Sequence, residues 1–505
     1  MKKTVFIKNA AVLTVSGLIL RFIGIIFKVW LAGTIGAEGI GLFQLVFSVY
    51  VLAATFASSG IPTAVTRLCA DELALGGKKG TLLIFRRCCA AITVIAVVSC
   101  AFLLVFADFL AKTVLGAPQC AASIRICALS LPFMGLCSVF RGYFIARRKA
   151  SPGAFAQIFE QIVRIITVIV ALKFLLSHGA AASLAAVFAG DTVSEALACL
   201  LLYAVYRKDI KKLPETGRER PPYRILSALK HIALPITAGR YLNTLLRTAE
   251  NILVPKFLSR NPLFADNAVS LFGMIKGMAL PILFFPSTLI NSVSTLLIPE
   301  MSEAAAKGRK ALVKGAAEKI TSLTVAVGLI CGAVFFTCGD KIGPLLYKEE
   351  GVGYLICMLS PIVPLMYLDG ICDGILKGLD CQRFSFFVSV GDSAIRLAVI
   401  PFILPKYGVL GFIGIMYFSN FFTCFLNTAK LIKVSSAEIN TLKTIIFPLF
   451  LALCSALVSK ALSGLVSSGS IIVFTVMCCV LSLLIYTAAM FLSGCITADE
   501  IRDIL

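Results

Sequence analysis

Apolar runs of about 20 residues, the length a helix needs to cross a bilayer, recur from Val5 to Leu492, and nothing else in the chain limits its fold so strongly. Such runs cannot all be buried in one aqueous core. They have to lie in a membrane, where only helices or closed barrels satisfy every backbone polar group, and runs of this length are helical. Composition fits: the chain is 59% hydrophobic and 14% charged, with a mean hydropathy of +0.95. The longest polar interruption, residues 207–230, is too short to fold alone. The opening Met1-Lys2-Lys3 imitates a signal peptide. However, Arg21 lies inside the apolar run and no small-residue cleavage site follows, so a retained first span is expected.

The pattern predicts an all-α polytopic protein of fourteen helices, near 5–32, 40–66, 83–107, 122–146, 154–175, 182–206, 231–256, 267–298, 317–338, 352–377, 384–403, 408–431, 443–463 and 468–493. Charge gives the orientation. Roughly two thirds of the 47 basic residues fall on one side of that plan, including Lys78, Lys79, Arg86, Arg87, Arg141, Arg147, Arg148 and the 207–230 loop. Few fall on the other side, so both termini are expected in the cytoplasm and the protein in a bacterial cytoplasmic membrane. The net charge of +21 then describes a cytoplasmic rim beside anionic lipid, not a nucleic-acid surface. Most of the 18 cysteines sit in or beside spans and read as free thiols, with Cys120 alone in an outer loop. The two histidines, His178 and His231, have no metal-ligand spacing, so no metal or other cofactor is expected.

An internal repeat emerges when one ungapped shift lays Asp71 on Glu303, Lys78 on Lys310, Asp108 on Asp340, Glu160 on Asp392 and Arg164 on Arg396. The same shift matches Pro132, Met134, Gly142 and Phe155 with Pro364, Met366, Gly374 and Phe387, while Arg86, Arg141 and Arg148 meet acids. Each repeat holds six helices, an even number, so the two should be related by a pseudo-two-fold along the membrane normal. The expected divisions are residues 1–212, a cytoplasmic linker 213–230, residues 231–433, and an additional transmembrane hairpin with a short tail, 434–505.

Charges inside the spans carry the functional reading, because a cation at membrane depth costs about 2.5–3.5 kcal/mol on insertion scales. Arg21 and Lys28 are seven residues apart in the first span, and Arg240 and Arg247 repeat that spacing in the seventh. Seven residues are two turns, so each pair lines one helix face. Arg247 can reach Glu250 at i,i+3, whereas Arg21, Lys28 and Arg240 have no acid within reach on their own helices. These cations need a water-filled cavity, an acid on another helix, or a bound anion. Glu160 with Arg164, and Asp392 with Arg396, are i,i+4 pairs expected to brace each repeat. Asp191 with Glu195, and Asp369 with Asp373, place two acids on one face, a candidate Na⁺ or H⁺ coupling or gating site to which Glu250 and Lys276 are added. Pro281, Pro286, Pro235 and Pro255, and Gly17, Gly24, Gly33 and Gly36, supply bends that suit alternating access.

Three segments, SGLILRFIG at 16–24, GTIGAEGIGLFQ at 33–44 and SSGIPTAV at 58–65, resemble the stage V sporulation protein B group of polysaccharide-type flippases. That group stands with MurJ-like lipid II flippases, Wzx-type flippases and MATE exporters. The resemblance implies two six-helix bundles, a cationic cavity, and alternating access that moves an undecaprenyl-diphosphate-linked saccharide, such as a peptidoglycan precursor in cell-wall or sporulation metabolism. It implies diphosphate contacts at Arg21 and Arg247, while Lys28 stands one residue from the family's second arginine and the second helix has no intramembrane arginine, which favours a headgroup other than lipid II. It also implies a lipid-tail groove at the last two helices. A cation-coupled multidrug exporter of the MATE type is the alternative, yet organic cations call for acids where Arg21, Arg240 and Arg247 stand. A membrane glycosyltransferase is disfavoured because the 207–230 loop offers only Asp209, Glu215 and Glu219 among many bases. A monomeric transporter, not an enzyme, is expected, with a lipid-linked oligosaccharide as substrate and the bilayer as its other partner.

Overall fold

A computed structural model describes residues 3–58, 60–74, 78–212, 222–288, 290, 301–466 and 470–495. Residues 213–221 of the expected linker 213–230, the end of the eighth predicted helix at 291–298 and the tail from 496, with Arg502, lie outside the described residues, while residues 222–230 of that linker are the start of a helix instead. Helices form nearly everything else, in the order α1 (Lys3–Ser58), α2 (Ile61–Ala74), α3 (Lys78–Phe109), α4 (Ala121–Ala128), α5 (Leu131–Ala146), α6 (Ser151–Leu175), α7 (Ala180–Ile210) and α8 (Pro222–Leu258). There follow α9 (Ala268–Phe272), a π-helical segment (Gly273–Ala279), α10 (Leu280–Phe284), α11 (Lys310–Tyr347), α12 (Glu350–Leu359), α13 (Val363–Gly378), α14 (Gln382–Ser435), α15 (Phe447–Val466) and α16 (Ile471–Leu492). Among the described residues, eight helices are long and apolar enough to cross a membrane, or nine if the bent pair α4–α5 is one span. The protein is therefore a multi-pass membrane protein.

Part of the difference from fourteen predicted helices has local causes. Helix α1 runs through the expected first loop and breaks only at Gly36, with φ 72° and ψ 177°, and α14 likewise absorbs two predicted helices and breaks at Gly408, with φ 54° and ψ −133°. Glycine alone adopts these angles readily, so one residue replaces a loop. Gly17, Gly24 and Gly33 leave their helix intact, and so does Pro255 near the end of α8. Cys120, expected in an outer loop, is fully buried, because the short turn Pro118–Cys120 leads straight into α4. All of the cysteines are free thiols, as the reading of the spans anticipates.

The chain separates into two compact units, one of Met1–Phe27 with Glu38–Lys256, the other of Lys28–Ala37 with Phe257–Leu505. In the first, Ile84, Phe85, Phe140, Tyr143, Leu202 and Tyr206 form the core between α2, α3, α5 and α7. The Phe85 and Tyr206 rings stack at 4.2 Å, and Tyr143 meets Tyr206 edge-on at 5.0 Å. Tyr143 extends its hydroxyl to Asp209, 2.9 Å away, which also takes Arg147 at 3.0 Å and Lys149 at 2.5 Å, fastening the α5–α6 connection to the end of α7. In the second unit α15 and α16 pack on α11 through Leu329, Ile330, Ala452, Ala456 and Tyr486. Helices α11 and α12 approach so closely that a Cβ on Gly343 would lie 2.2 Å from the Gly353 nitrogen, the small-residue contact by which membrane helices associate.

The repeat is visible in the element boundaries. The shift that lays Lys78 on Lys310 matches the first residues of α3 and α11, and it carries both ends of α5, Leu131 and Ala146, onto both ends of α13, Val363 and Gly378. Each half also places a positive-φ glycine at a later joint, Gly179 before α7 and Gly408 within α14.

Candidate functional site

Helix α8 carries two of the singled-out arginines, and a seam of small polar residues seats it on α1. Gly60 comes first: a Cβ there would fall 2.3 Å from the Ala233 carbonyl oxygen, and its N–H points to Thr237 Oγ1 at 3.3 Å. Next along α8, Tyr241 meets Phe56 edge-on at 5.8 Å, and Thr244 Oγ1 lies 3.4 Å from Thr55 Oγ1. Thr248 Oγ1 then donates to the Ser48 carbonyl at 3.1 Å, and Asn251 Nδ2 to Ser48 Oγ at 2.9 Å. Positions 237, 244 and 251 on α8, and 48 and 55 on α1, advance by two turns, so each set lines one face.

Arg240 and Arg247 advance by the same two turns and are rotated only slightly from Thr244, so both flank the seam on α8. Their side chains are exposed, as are those of Arg21 and Lys28 on α1. Among the described residues none of these four cationic side chains makes a hydrogen bond or ion pair. Glu250, three residues further on, is 3% exposed, whereas Arg247 is exposed. Arg21, Arg240 and Arg247 belong to the first unit, and Lys28 to the second.

The acids sort differently. Arg164 donates from Nη2 to Glu160 Oε1 at 3.0 Å and from Nη1 to Gln161 at 3.0 Å, and its Nε is 2.6 Å from Asp191 Oδ1. Arg141, placed by its sequence position among the cytoplasmic-side cations, instead sits within α5 and donates to Glu160 Oε2 at 2.8 Å. These charges join α5, α6 and α7. Glu195, one turn from Asp191, takes a separate partner: the Tyr50 hydroxyl donates to its Oε1 at 3.0 Å and itself accepts from Ser130 at 2.9 Å. Glu195 Oε2 is buried without a hydrogen-bond partner.

In the second unit Arg396 pairs with Asp392 at 3.0 Å, and Asp392 also accepts from Ser419 at 2.6 Å. Asp373 pairs with Lys377 at 2.5 Å on the same helix, and Asp369 accepts from Asn427 Nδ2 at 2.8 Å. Asn427 is 4% exposed, and its Oδ1 has no hydrogen-bond partner. Lys276, in the π-helical segment, lies over the buried Phe412 ring at 5.7 Å. Such segments collect at functional positions. The structure therefore brings Asp191 to Arg164 and Asp373 to Lys377, and leaves Glu195 and Asp369 beside neutral partners.

A family model described as polysaccharide biosynthesis protein matches residues 6–305. The chain belongs to this family. Among its relatives is "Stage V sporulation protein B" of Bacillus subtilis (strain 168), 26% identical over 422 residues that cover 81% of this chain and 80% of the relative. Of solved structures, the lipid II flippase MurJ in an inward closed conformation is similar with a TM-score of 0.71 and 12% identity, covering 95% of this chain and 98% of that one. An inward-facing MATE multidrug transporter of the MOP superfamily gives 0.64 and 13%, covering 83% and 96%. At these identities the likeness to the solved structures is one of fold. This polysaccharide biosynthesis family member thus has the fold of transporters.

Proposed function

We propose that the protein is a flippase that moves an anionic, polyprenyl-diphosphate-linked saccharide across a bacterial cytoplasmic membrane by alternating access. The observation that carries this reading is the set of exposed cations, Arg21, Arg240 and Arg247, that make no ion pair among the described residues of otherwise apolar helices. Facing lipid would be costly for each, so a polar cavity and an anion in it are their fitting environment. A guanidinium offers a planar fork of donors that matches phosphate oxygens, which suits a diphosphate better than a neutral sugar. Lys28 would add a further positive charge from α1. Kinship with a sporulation protein and the fold of a lipid II flippase support a lipid-linked cargo. On this reading the helices form two six-helix bundles about a pseudo-two-fold, with a C-terminal pair, fourteen spans in all, both termini in the cytoplasm, and the chain working as a monomer.

For coupling, the pair Asp369–Asn427 is the better of the candidate acid sites. Its carboxylate and the unpartnered Asn427 carbonyl oxygen are the oxygen ligands a hard cation prefers, or the carboxylate can take a proton. Asp191 and Asp373 are engaged by bases, and Glu195 by a phenol.

Reconstitution in liposomes with fluorescent polyprenyl-diphosphate sugars, and separately with cationic dyes, tests the reading. Lipid translocation without dye efflux is expected, and dye efflux alone would establish the MATE-type exporter that the fold also accommodates. Arg21→Ala and Arg247→Ala are expected to abolish translocation while expression persists; normal translocation by both variants removes these residues from the mechanism. Asp369→Asn is expected to remove the response to an imposed Na⁺ or proton gradient.

A further inference from the structure

The contact between Thr55 and Thr244 has a chemistry of its own. Each hydroxyl has one proton and two lone pairs. Thr55 Oγ1 donates to the Val51 carbonyl at 2.8 Å and Thr244 Oγ1 to the Arg240 carbonyl at 2.9 Å, each four residues back on its own helix. The carbonyls are thus the nearer acceptors for both protons. The two oxygens face each other at 3.4 Å, well beyond the usual O–H···O distance of about 2.7–2.8 Å. What they present outward is a pair of acceptors with unused lone pairs and no donor between them, on side chains that are only half-buried.

Such a pair selects a donor. An O–H or N–H lying between the two oxygens can hydrogen-bond with either or both, whereas a phosphate oxygen there would meet only lone pairs and be repelled. The anion-seeking groups stand just beside it: Arg240 lies one turn before Thr244 and Arg247 just under one turn after, on the same side of α8. The other half of the pair comes from α1, so the two oxygens meet only while the α1–α8 seam is closed at Ser48, Thr248 and Asn251.

We infer that Thr55 and Thr244 form a saccharide-reading subsite, accepting hydrogen bonds from a sugar hydroxyl or acetamido N–H beside the diphosphate held by Arg240 and Arg247. The inference rests on the flippase reading above and adds to it where the headgroup is recognised. Sites built to hydrogen-bond a substrate group discriminate strongly against analogues that lack it, because their own polar atoms are then left unpaired.

The test compares two fluorescent lipids in liposomes, a polyprenyl diphosphate bearing an N-acetylhexosamine and the same polyprenyl diphosphate without sugar. Thr55→Val with Thr244→Val keeps the β-branched shape and deletes both acceptors. The ratio of sugar-bearing to sugar-free translocation is expected to fall about tenfold, a change equivalent to the loss of one to two hydrogen bonds. Thr55→Ser with Thr244→Ser, which restores both oxygens, is expected to return the ratio to that of the parent. Should the double valine variant fail to purify as a folded protein, either single valine variant is expected to show part of the drop. A ratio unchanged in the valine variants, or one that serine does not restore, overturns the subsite while leaving the flippase reading intact. A parent protein that moves neither lipid overturns both.

Discussion

Arg164 and Arg396 occupy matching places in the two halves and hold their charges in different ways. Around Arg164 the partners come from three helices: Glu160 on α6, Asp191 on α7, and Arg141 on α5, which shares Glu160. Around Arg396 the carboxylate of Asp392 lies on the same helix, and the stretch of α14 beyond its break at Gly408 contributes a hydroxyl, Ser419, to Asp392 and an amide, Asn427, to Asp369 on α13. The repeat even exchanges charge, as where it lays Arg141 on Asp373, which pairs locally with Lys377. In one half the charges around this arginine join three helices, while in the other Asp392 and Asp369 each also take a neutral hydrogen-bond donor from the later stretch of α14. The lesson is that a duplicated scaffold conserves where charge sits more strictly than how it is compensated. Charge-linked helices separate at greater cost than hydroxyl-linked ones in a medium with little water.

The largest expected effect of this difference is on stability. Arg164→Ala leaves Glu160 and Asp191 short of a partner and is expected to cost about 3–5 kcal/mol. Arg396→Ala is expected to cost about 1–3 kcal/mol, since Asp392 keeps Ser419. Thermal unfolding of both variants in nanodiscs measures the gap, and equal losses would dissolve the contrast between the halves. Arg141→Met should fall between them, at about 2 kcal/mol, because Glu160 retains Arg164. Asp373→Asn should be nearly silent, about 0.5 kcal/mol or less, because its pair with Lys377 is an i,i+4 contact with side chains 32% and 55% exposed.

The smallest effect concerns a clasp in the second unit, between the start of α11 and the loop before α15. Glu438 accepts from Lys314 at 2.5 Å, while its own N–H donates to Glu318 at 2.6 Å. The hydrogen bond from Lys314, and then its charge, hold the Glu438 carboxyl below the usual glutamate range. A carboxyl depressed in the folded state contributes its stability fully above the unfolded value of about 4.3 and loses it as pH falls through the lower folded value. Hydrogen exchange at residues 436–441 should therefore be steady above about pH 5 and rise below about pH 4, and Glu438→Gln should remove that dependence.

How much of this is legible in the sequence follows from the range of each interaction. The pairs Glu160–Arg164 and Asp392–Arg396 can be read directly, because i,i+4 spacing is a property of one helix. The recruitment of Asp191 and Arg141 cannot, since it depends on how α5, α6 and α7 pack, and Arg141 near a helix end is indistinguishable in sequence from a cytoplasmic-side charge. Gly36 and Gly408 are legible as glycines but not as breaks, because Gly17, Gly24 and Gly33 in the same helix as Gly36 stay helical. In the site, hydropathy exposes Arg21, Arg240 and Arg247, as charge among apolar residues must. It passes over Ser48, Thr55, Thr237, Thr244 and Asn251, whose near-neutral side chains signal only through their seven-residue steps.

The π-helical segment at Gly273–Ala279 has a consequence for motion. It accommodates an extra residue in the helix, and Tyr347 and Tyr367 donate their hydroxyls to the carbonyls of Met278, within it, and Leu283, just beyond it, at 3.2 and 2.6 Å. Expelling one residue from such a winding turns everything on one side by about 100° relative to the other. Lys276 would swing off the Phe412 ring, and both phenols would lose their acceptors together. Two tyrosines, on α11 and α13, therefore tie the present winding of this segment to the helices beside it.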